Sequence, residues 1–326
     1  MRVSVNTIKS FSERFALANA FTISRGTKTH AEVVRVEISD GIHKGQGECV
    51  PYARYGESVA SVTEQITALP DDITRESLQQ VMPAGAARNA VDCAFWDLEA
   101  KQTGNPVWQL AGLDEPKELT TAYTLSLEEP EKMRESALAN AHRPLLKLKL
   151  GTTNDIPRLE AVREGAPDAT ILVDANEGWD VATLSEIKPA LDKIGVALVE
   201  QPLPEADDSA LINNSIGLPL CADESCHTSD GLEALRDKYN VINIKLDKTG
   251  GLTEALKMRA QAQTMGFDIF VGCMVGTSLG MAPATLVAQG ASFVDLDGPL
   301  LLAEDRQHGL RYEGSTVFPP TKELWG

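Results

Sequence analysis

From Leu119 to Asp297 the chain repeats one pattern, a short apolar run followed by a segment of helical periodicity. Eight such runs can be counted: Leu119–Leu127, Leu145–Leu150, Thr170–Ala175, Val196–Gln201, Leu218–Glu224, Val241–Leu246, Asp268–Met274 and Phe293–Asp297. Apolar residues recur at helical spacing between them, as at Ile156, Leu159 and Val162 after the second run and at Leu232, Leu235 and Tyr239 after the fifth. The last connection, Thr277–Gln289, is rich in Ala and Leu. Short apolar strands alternating with amphipathic helices are βα units and predict a parallel sheet. Ionisable residues keep step with the units: Lys149 to Asp174 is 25 residues, Asp174 to Glu200 is 26, Glu200 to Asp223 is 23 and Asp223 to Lys245 is 22. In a β/α barrel equivalent strand ends converge at the carboxyl face, so this near-period sends one ionisable side chain per strand toward a common point. A doubly wound sheet is the rival. It gathers its ligands at one switch point, and no G-x-G-x-x-G follows an early strand here.

The N-terminal part reads differently. Strand-like segments at Val3–Ile8, Ala31–Ile38 and the glycine-rich Gly41–Gly47 precede a helical stretch from Ala87 to Lys101, which predicts a small α+β domain. The expected division is 1–113 for this domain, 114–300 for the barrel and 301–326 for a C-terminal segment returning to the first domain. Thirty basic residues against 47 acidic ones leave a net charge of −17, which argues against nucleic acid or an anionic membrane surface as partner. The five cysteines form no CxxC pair and no apolar leader follows the amino terminus, the pattern of a reduced, cytoplasmic protein. No apolar run approaches the ~18 residues needed to span a bilayer.

Three acids end three successive strands: Asp174 in ILVDANEGW, Glu200 in ALVEQPLP and Asp223 in PLCADES. An all-oxygen set of this kind suits a hard divalent ion such as Mg2+, with positions left for water or substrate oxygens. Lysines flank the ladder, Lys147 and Lys149 on the second strand and Lys245 on the sixth. Residues two apart share a strand face, so Lys147 and Lys149 point the same way. Inward lysines beside a cation are expected to have lowered proton affinity through like-charge repulsion, which makes a usable base. Strands two and six lie on opposite sides of an eight-stranded ring, so a substrate held between them can be attacked from either face. Chelation of an α-carboxylate acidifies the α-proton, and a base on each face inverts the centre.

Lys149 in LLKLKLG, Asp174 in VDANEGW, Glu200 in VEQPLP, Asp223 in ADES and Lys245 in INIKLDKTGGL resemble, in order and spacing, the muconate-lactonising subgroup of the enolase superfamily, over essentially the whole chain. The resemblance implies a modified TIM-type (β/α)7β barrel under an N-terminal α+β capping domain. It implies Lys149 and Lys245 as acid/base catalysts, and Asp174, Glu200 and Asp223 as ligands of one Mg2+ per site. Within the subgroup, FVDLDGPLL, with Asp295 and Asp297 on one face, resembles the DxD element by which dipeptide epimerases hold a free ammonium group. Paired carboxylates beside a metal are costly without a cation between them. The segments PAGAARNAVDCAFWDL, CADESCHT and NIKLDKTGGLTEAL are similar to the dipeptide epimerases that act on L-Ala-Glu, a reaction tied to recycling of cell-wall peptide. By the same resemblance Arg25, in FTISRGTKTH, meets the glutamate side-chain carboxylate from a loop beside Gly26, and Lys147 joins the substrate-binding residues. PYARYGES, with Tyr52 and Tyr55 in the stretch Tyr52 to Ser58, resembles a second closing loop. The expected partner is a small dipeptide, and a homo-oligomer is compatible with the resemblance.

Asp247 shares the strand face of Lys245 and is expected to orient it, whereas Lys248 faces the other side and is expected to play a supporting role. Gly276 stands in the loop after the seventh strand where many dipeptide epimerases carry an acid. Gly276-Thr277-Ser278-Leu279-Gly280 also matches a G-x-S-x-G nucleophile elbow, trailed by Asp295 and His308, so a serine hydrolase using Ser278 is an alternative. Other reactions of the subgroup, cycloisomerisation or o-succinylbenzoate synthesis, share the lysines and acids and differ only at Arg25, Asp295 and Asp297. A peptide-binding protein on a degenerate barrel would be expected to lack some of these five residues, and all are present.

Overall fold

The computed structural model describes residues 7–212 and 217–326. The start of the expected first strand, from Val3 to residue 6, lies outside them; from there β1 (Thr7–Ile23) pairs antiparallel with β2 (Gly26–Ser39), which pairs with β3 (Lys44–Cys49). The hairpin is longer than the alternation of apolar residues suggests. Only from Ala31 onward does β2 bury one face, and the stretch before it is an exposed arm whose two strands bond mainly to each other. In β3 the glycines have a packing reason: a Cβ on Gly45 would stand 2.2 Å from Ala94 O, and one on Gly47 2.2 Å from Ala90 O. The helix Ala86–Thr103 therefore lies directly on this strand, backbone against backbone.

After β4 (Leu119–Thr120) come eight parallel strands in sequential order: β5 (Tyr123–Leu125), β6 (Leu145–Lys149), β7 (Thr170–Asp174), β8 (Val196–Glu200), β9 (Leu220–Ala222), β10 (Val241–Ile244), β11 (Asp268–Val271) and β12 (Phe293–Val294). All eight fall inside the expected runs. The ring closes where Ala122 N–H donates to Val294 O at 2.8 Å. The run Leu119–Leu127 is split in two. Its first residues pair with β14 (Thr316–Val317), itself paired with β13 (Tyr312–Glu313), and the chain crosses into the barrel at Thr121, whose N–H donates to Ser315 O at 2.8 Å. After the fifth barrel strand there is only a 3-10 turn, Ser229–Leu235, yet Leu232, Leu235 and Tyr239 are buried as their spacing requires.

Inside the barrel Ala122, Leu145, Leu172, Leu198, Cys221, Val241 and Phe270 form one packed floor. Side chains two positions along a strand share its face, so the next inward layer is Lys147, Asp174, Glu200, Asp223, Asn243, Gly272 and Asp295. That layer carries the three acids of the ladder, and Lys149 and Lys245 stand one layer further toward the carboxyl face. The C-terminal residues run back to the N-terminal helix: Trp325 Nε1 donates to Cys93 O at 3.0 Å, and Gly326 N–H to Asp97 Oδ1 at 2.8 Å. All five cysteines are free thiols, and among the described residues no helix is long and apolar enough to cross a membrane.

Candidate active site

Asp174 and Glu200 end their strands, and Asp223 follows the last residue of β9. One carboxylate oxygen of each lies within 4.8 Å of the others, and all three side chains are buried. The donors are carboxylates only, the set that fits a hard divalent ion. Glu200 Oε2 is buried, and its near neighbour is the Lys147 ammonium at 2.7 Å, so the carboxylate cluster is held together by cationic charge. Burial, then the neighbouring Asp174, pushes the Glu200 carboxyl up to about 7.

The lysines close around this cluster. Lys149 Nζ lies 2.6 Å from Asp174 Oδ2, and Lys245 Nζ 2.6 Å from Asp223 Oδ2. Lys147 Nζ reaches three acids, Glu200 at 2.7 Å, Asp295 at 2.9 Å and Asp174 at 3.2 Å. Burial alone pulls Lys147 and Lys245 down, and the surrounding carboxylates outweigh it, holding both above the ordinary lysine range. Gly272 leaves room for the second lysine, since a Cβ there would stand 3.1 Å from Lys245 Cε and 2.7 Å from Asn243 Oδ1.

Asp295 and Asp297 both face the cavity, just beyond the end of β12. Asp297 Oδ2 accepts from Thr124 N–H at 2.6 Å, and burial together with Asp295 pushes its carboxyl up to about 7. The cavity encloses about 480 Å3 and is lined on the opposite side by Arg25, Lys28, Tyr52 and Tyr55. Arg25 sits at the β1–β2 turn and is already engaged: Nη2 lies 2.7 Å from Glu224 Oε1 and 3.1 Å from Tyr52 Oη, while Nη1 lies 2.7 Å from Asn176 O and 3.2 Å from Glu177 Oε2. Asn176 and Glu177 adopt left-handed backbone conformations, at φ 46° and 65°. That turn lets Asn176 N–H donate to Asp174 Oδ1 at 2.9 Å. In the second loop Tyr55 packs edge-on against His227 at 4.8 Å between centroids, and Glu57 Oε2 accepts Tyr52 N–H at 3.0 Å.

Several residues were missed or misplaced by strand alternation. The strand ends at Ile244, and Leu246–Thr249 forms a helical turn, so faces beyond Lys245 no longer alternate. Asp247 consequently turns away from Lys245 and accepts Val50 N–H at 3.0 Å and Asn89 Nδ2 at 2.9 Å, tying the barrel to the N-terminal domain. Lys248 instead turns toward the acids and contacts Asp223. Asn243, whose Nδ2 donates to Glu200 Oε1 at 2.7 Å, lies two before Lys245, and that same spacing could have found it. Gln201 Oε1 accepts Asp223 N–H at 2.9 Å and couples the ends of β8 and β9, a role with no sequence signal.

The hydrolase alternative has no nucleophile to use. Ser278 is fully buried, its hydroxyl donates to Asp305 and accepts Leu310 N–H at 2.8 Å, and among the described residues no histidine partners it. Gly276 packs against the N-terminal domain: a Cβ there would stand 3.0 Å from Val50 Cγ2 and 3.2 Å from Glu48 Oε1, so an acidic side chain would crowd a buried carboxylate.

A closed parallel barrel capped by an antiparallel domain, with three acids and opposed lysines at its mouth, defines a class of barrel enzyme whose site lies at the carboxyl face. Residues 5–112 match the family Mandelate racemase / muconate lactonizing enzyme, N-terminal domain, and residues 131–322 match Enolase C-terminal domain-like; the chain belongs to this family. It is similar to N-acetyl-D-glutamate racemase of Pseudoalteromonas sp, 48% identical over 300 residues, covering 90% of this chain and 95% of that one. To L-Ala-D/L-Glu epimerase of Escherichia coli K12 it is 46% identical over 314 residues, covering 94% and 98%. A solved enolase family member from Agrobacterium tumefaciens with homology to dipeptide epimerases, holding sodium and L-Ala-L-Glu, superposes with a TM-score of 0.96 at 56% identity, covering 98% of this chain and 99% of that one.

Proposed function

We propose that this protein is a Mg2+-dependent dipeptide epimerase that interconverts L-Ala-L-Glu and L-Ala-D-Glu, with Asp174, Glu200 and Asp223 holding the ion and Lys149 and Lys245 moving the α-proton. The observation that carries the substrate class is the buried pair Asp295 and Asp297 beside a cavity large enough for a dipeptide. Two adjacent buried carboxylates are relieved by a cation between them, and the free ammonium of a dipeptide is one. When bound, the ion supplies positive charge that lowers the proton affinity of both lysines and polarises the substrate carboxylate.

The residues of the chain divide the remaining work. Asp295 and Asp297 hold the ammonium and set the α-carbon between the two lysines. Lys149, as the neutral amine, takes the α-proton of the L,L isomer; the electron pair passes into the carboxylate as an enediolate, and Lys147, as an ammonium, offsets its charge. Lys245 then returns a proton to the opposite face, and the L,D isomer runs the sequence backward. Arg25, which lines the cavity, is the residue we assign to the glutamate side-chain carboxylate. Five free cysteines support a cytoplasmic setting, where such an activity would serve recycling of cell-wall peptide.

The similarity to N-acetyl-D-glutamate racemase motivates a second reading, in which the substrate is N-acetylglutamate. Its acetyl group offers no cation to Asp295 and Asp297, which is why the dipeptide is preferred here. Incubation with each compound and Mg2+ in deuterated water, followed by mass and chiral analysis, separates the readings. Deuterium uptake with inversion is expected for L-Ala-L-Glu and is expected to stop with EDTA. Inversion of N-acetylglutamate alone, or turnover indifferent to chelation, would overturn the proposal.

A further inference from the structure

Three cationic side chains face the cavity mouth from the N-terminal domain: Arg25, Lys28 and Arg54. Arg54 is paired with Glu177 at 2.8 Å, and Arg25 with the buried Glu224 at 2.7 Å. Arg25 further donates to Asn176 O and Tyr52 Oη, so most of its donors already have partners in the protein. Lys28 differs. Its Nζ stands 5.0 Å from the centroid of the Tyr52 ring, and among the described residues it has no carboxylate in ion-pair contact. One tyrosine thus gathers two cations, Arg25 at its hydroxyl and Lys28 at its face, and only the first has its charge matched.

The segment bearing Lys28 is anchored. Lys28 pairs with Phe21 across the β1–β2 arm, and the neighbouring pair is joined by a Thr22–Thr27 hydroxyl bond of 3.0 Å. That arm is tied to the barrel, because Thr22 N–H donates to Ser126 Oγ at 2.8 Å and Leu127 N–H donates to Thr22 O at 3.0 Å. The backbone of Lys28 is therefore held against the rim of the barrel, and its ammonium is placed over Tyr52. In a chain of net charge −17, an unmatched cation on a cavity wall is where an anionic ligand group gains most.

We propose that Lys28 is a further specificity-determining residue, whose ammonium leaves the Tyr52 face to pair with the side-chain carboxylate of an acidic second residue. Arg25, fixed by Glu224, stands beside that subsite at the Tyr52 hydroxyl. The inference rests on the dipeptide reading above and adds to it the residue that distinguishes an acidic from a neutral side chain of equal size.

The test compares Lys28→Met and Lys28→Arg with the wild type on L-Ala-L-Glu and its neutral isostere L-Ala-L-Gln, by calorimetric binding and by KM and kcat. For Lys28→Met, affinity for L-Ala-L-Glu is expected to fall about three- to tenfold, the range of a partly exposed charge pair, with L-Ala-L-Gln changed less than about twofold. KM should carry the loss, Lys28→Arg should restore it, and the difference should shrink at high salt. Equal changes on both dipeptides, with the wild type still epimerising them, would overturn the role of Lys28 and leave the dipeptide reading standing. A wild type that neither binds nor epimerises either dipeptide would overturn both.

Discussion

Lys248 buries its ammonium, with no solvent access, 2.6 Å from Asp223 Oδ1. The other oxygen of the same carboxylate lies 2.6 Å from Lys245 Nζ, so Asp223 is held between two lysines, only one of which faces the cavity. Lys248 also donates to Asp223 O at 2.5 Å and Asn243 O at 3.0 Å, joining the ends of β9 and β10 behind the site. Lys248→Met is expected to leave a buried carboxylate oxygen and two carbonyls without their donor, at a cost of about 3 kcal/mol. Urea unfolding of the ion-free protein measures it directly. A loss under about 1 kcal/mol would mean that water replaces the ammonium at no great penalty.

The two-lysine assignment makes a prediction about exchange that turnover alone does not. Replacing either Lys149 or Lys245 with Ala should stop epimerisation in both directions, because an inverted product needs a proton from the opposite face. In deuterated water Lys245→Ala should still wash deuterium into L-Ala-L-Glu, and Lys149→Ala into L-Ala-D-Glu, each without net inversion. Interconversion by either variant at near the wild-type rate would show that a different pair of groups moves the proton.

A third expectation concerns pH and lies away from the reacting groups. Asp92 is fully buried and accepts Thr253 N–H at 2.9 Å and the Thr253 hydroxyl at 2.6 Å, at the start of the helix Leu252–Thr264. Burial outweighs these bonds and pushes its carboxyl up to about 6, above the ordinary value. Between about pH 4 and 6 the folded chain then holds a proton that the unfolded chain has released, so this group makes stability fall as pH rises through that window. A shift of roughly two units corresponds to about 3 kcal/mol at most. Unfolding curves at several pH values should therefore show the wild type losing stability relative to Asp92→Asn between pH 4 and 6. Parallel profiles would show that Asp92 titrates normally.

The sequence by itself determined the barrel and the chemistry of its mouth. Apolar strands of period two and helices of period 3.6 are local properties, and a repeat of one βα unit brings Asp174, Glu200, Asp223 and the lysines to equivalent strand ends. The pairing of Lys147 with Lys149 on one face of β6 followed from the same rule. That rule stopped where the backbone left the strand. At Leu246 the chain turns helical, and Asp247 and Lys248 exchanged the places that alternation assigned them. The extent of the β1–β2 arm, the capture of β4 by β14 and the packing of Gly47 on Ala90 were equally hidden, since each depends on a partner far along the chain. Tertiary structure alone decided the charge state around the cluster. Arg25 is matched by Glu224, 199 residues away, while Lys28, three residues from Arg25, has no ion-pair partner among the described residues. Sequence spacing fixes which residues can meet within one element, but neutralisation of a charge depends on every element that packs against it.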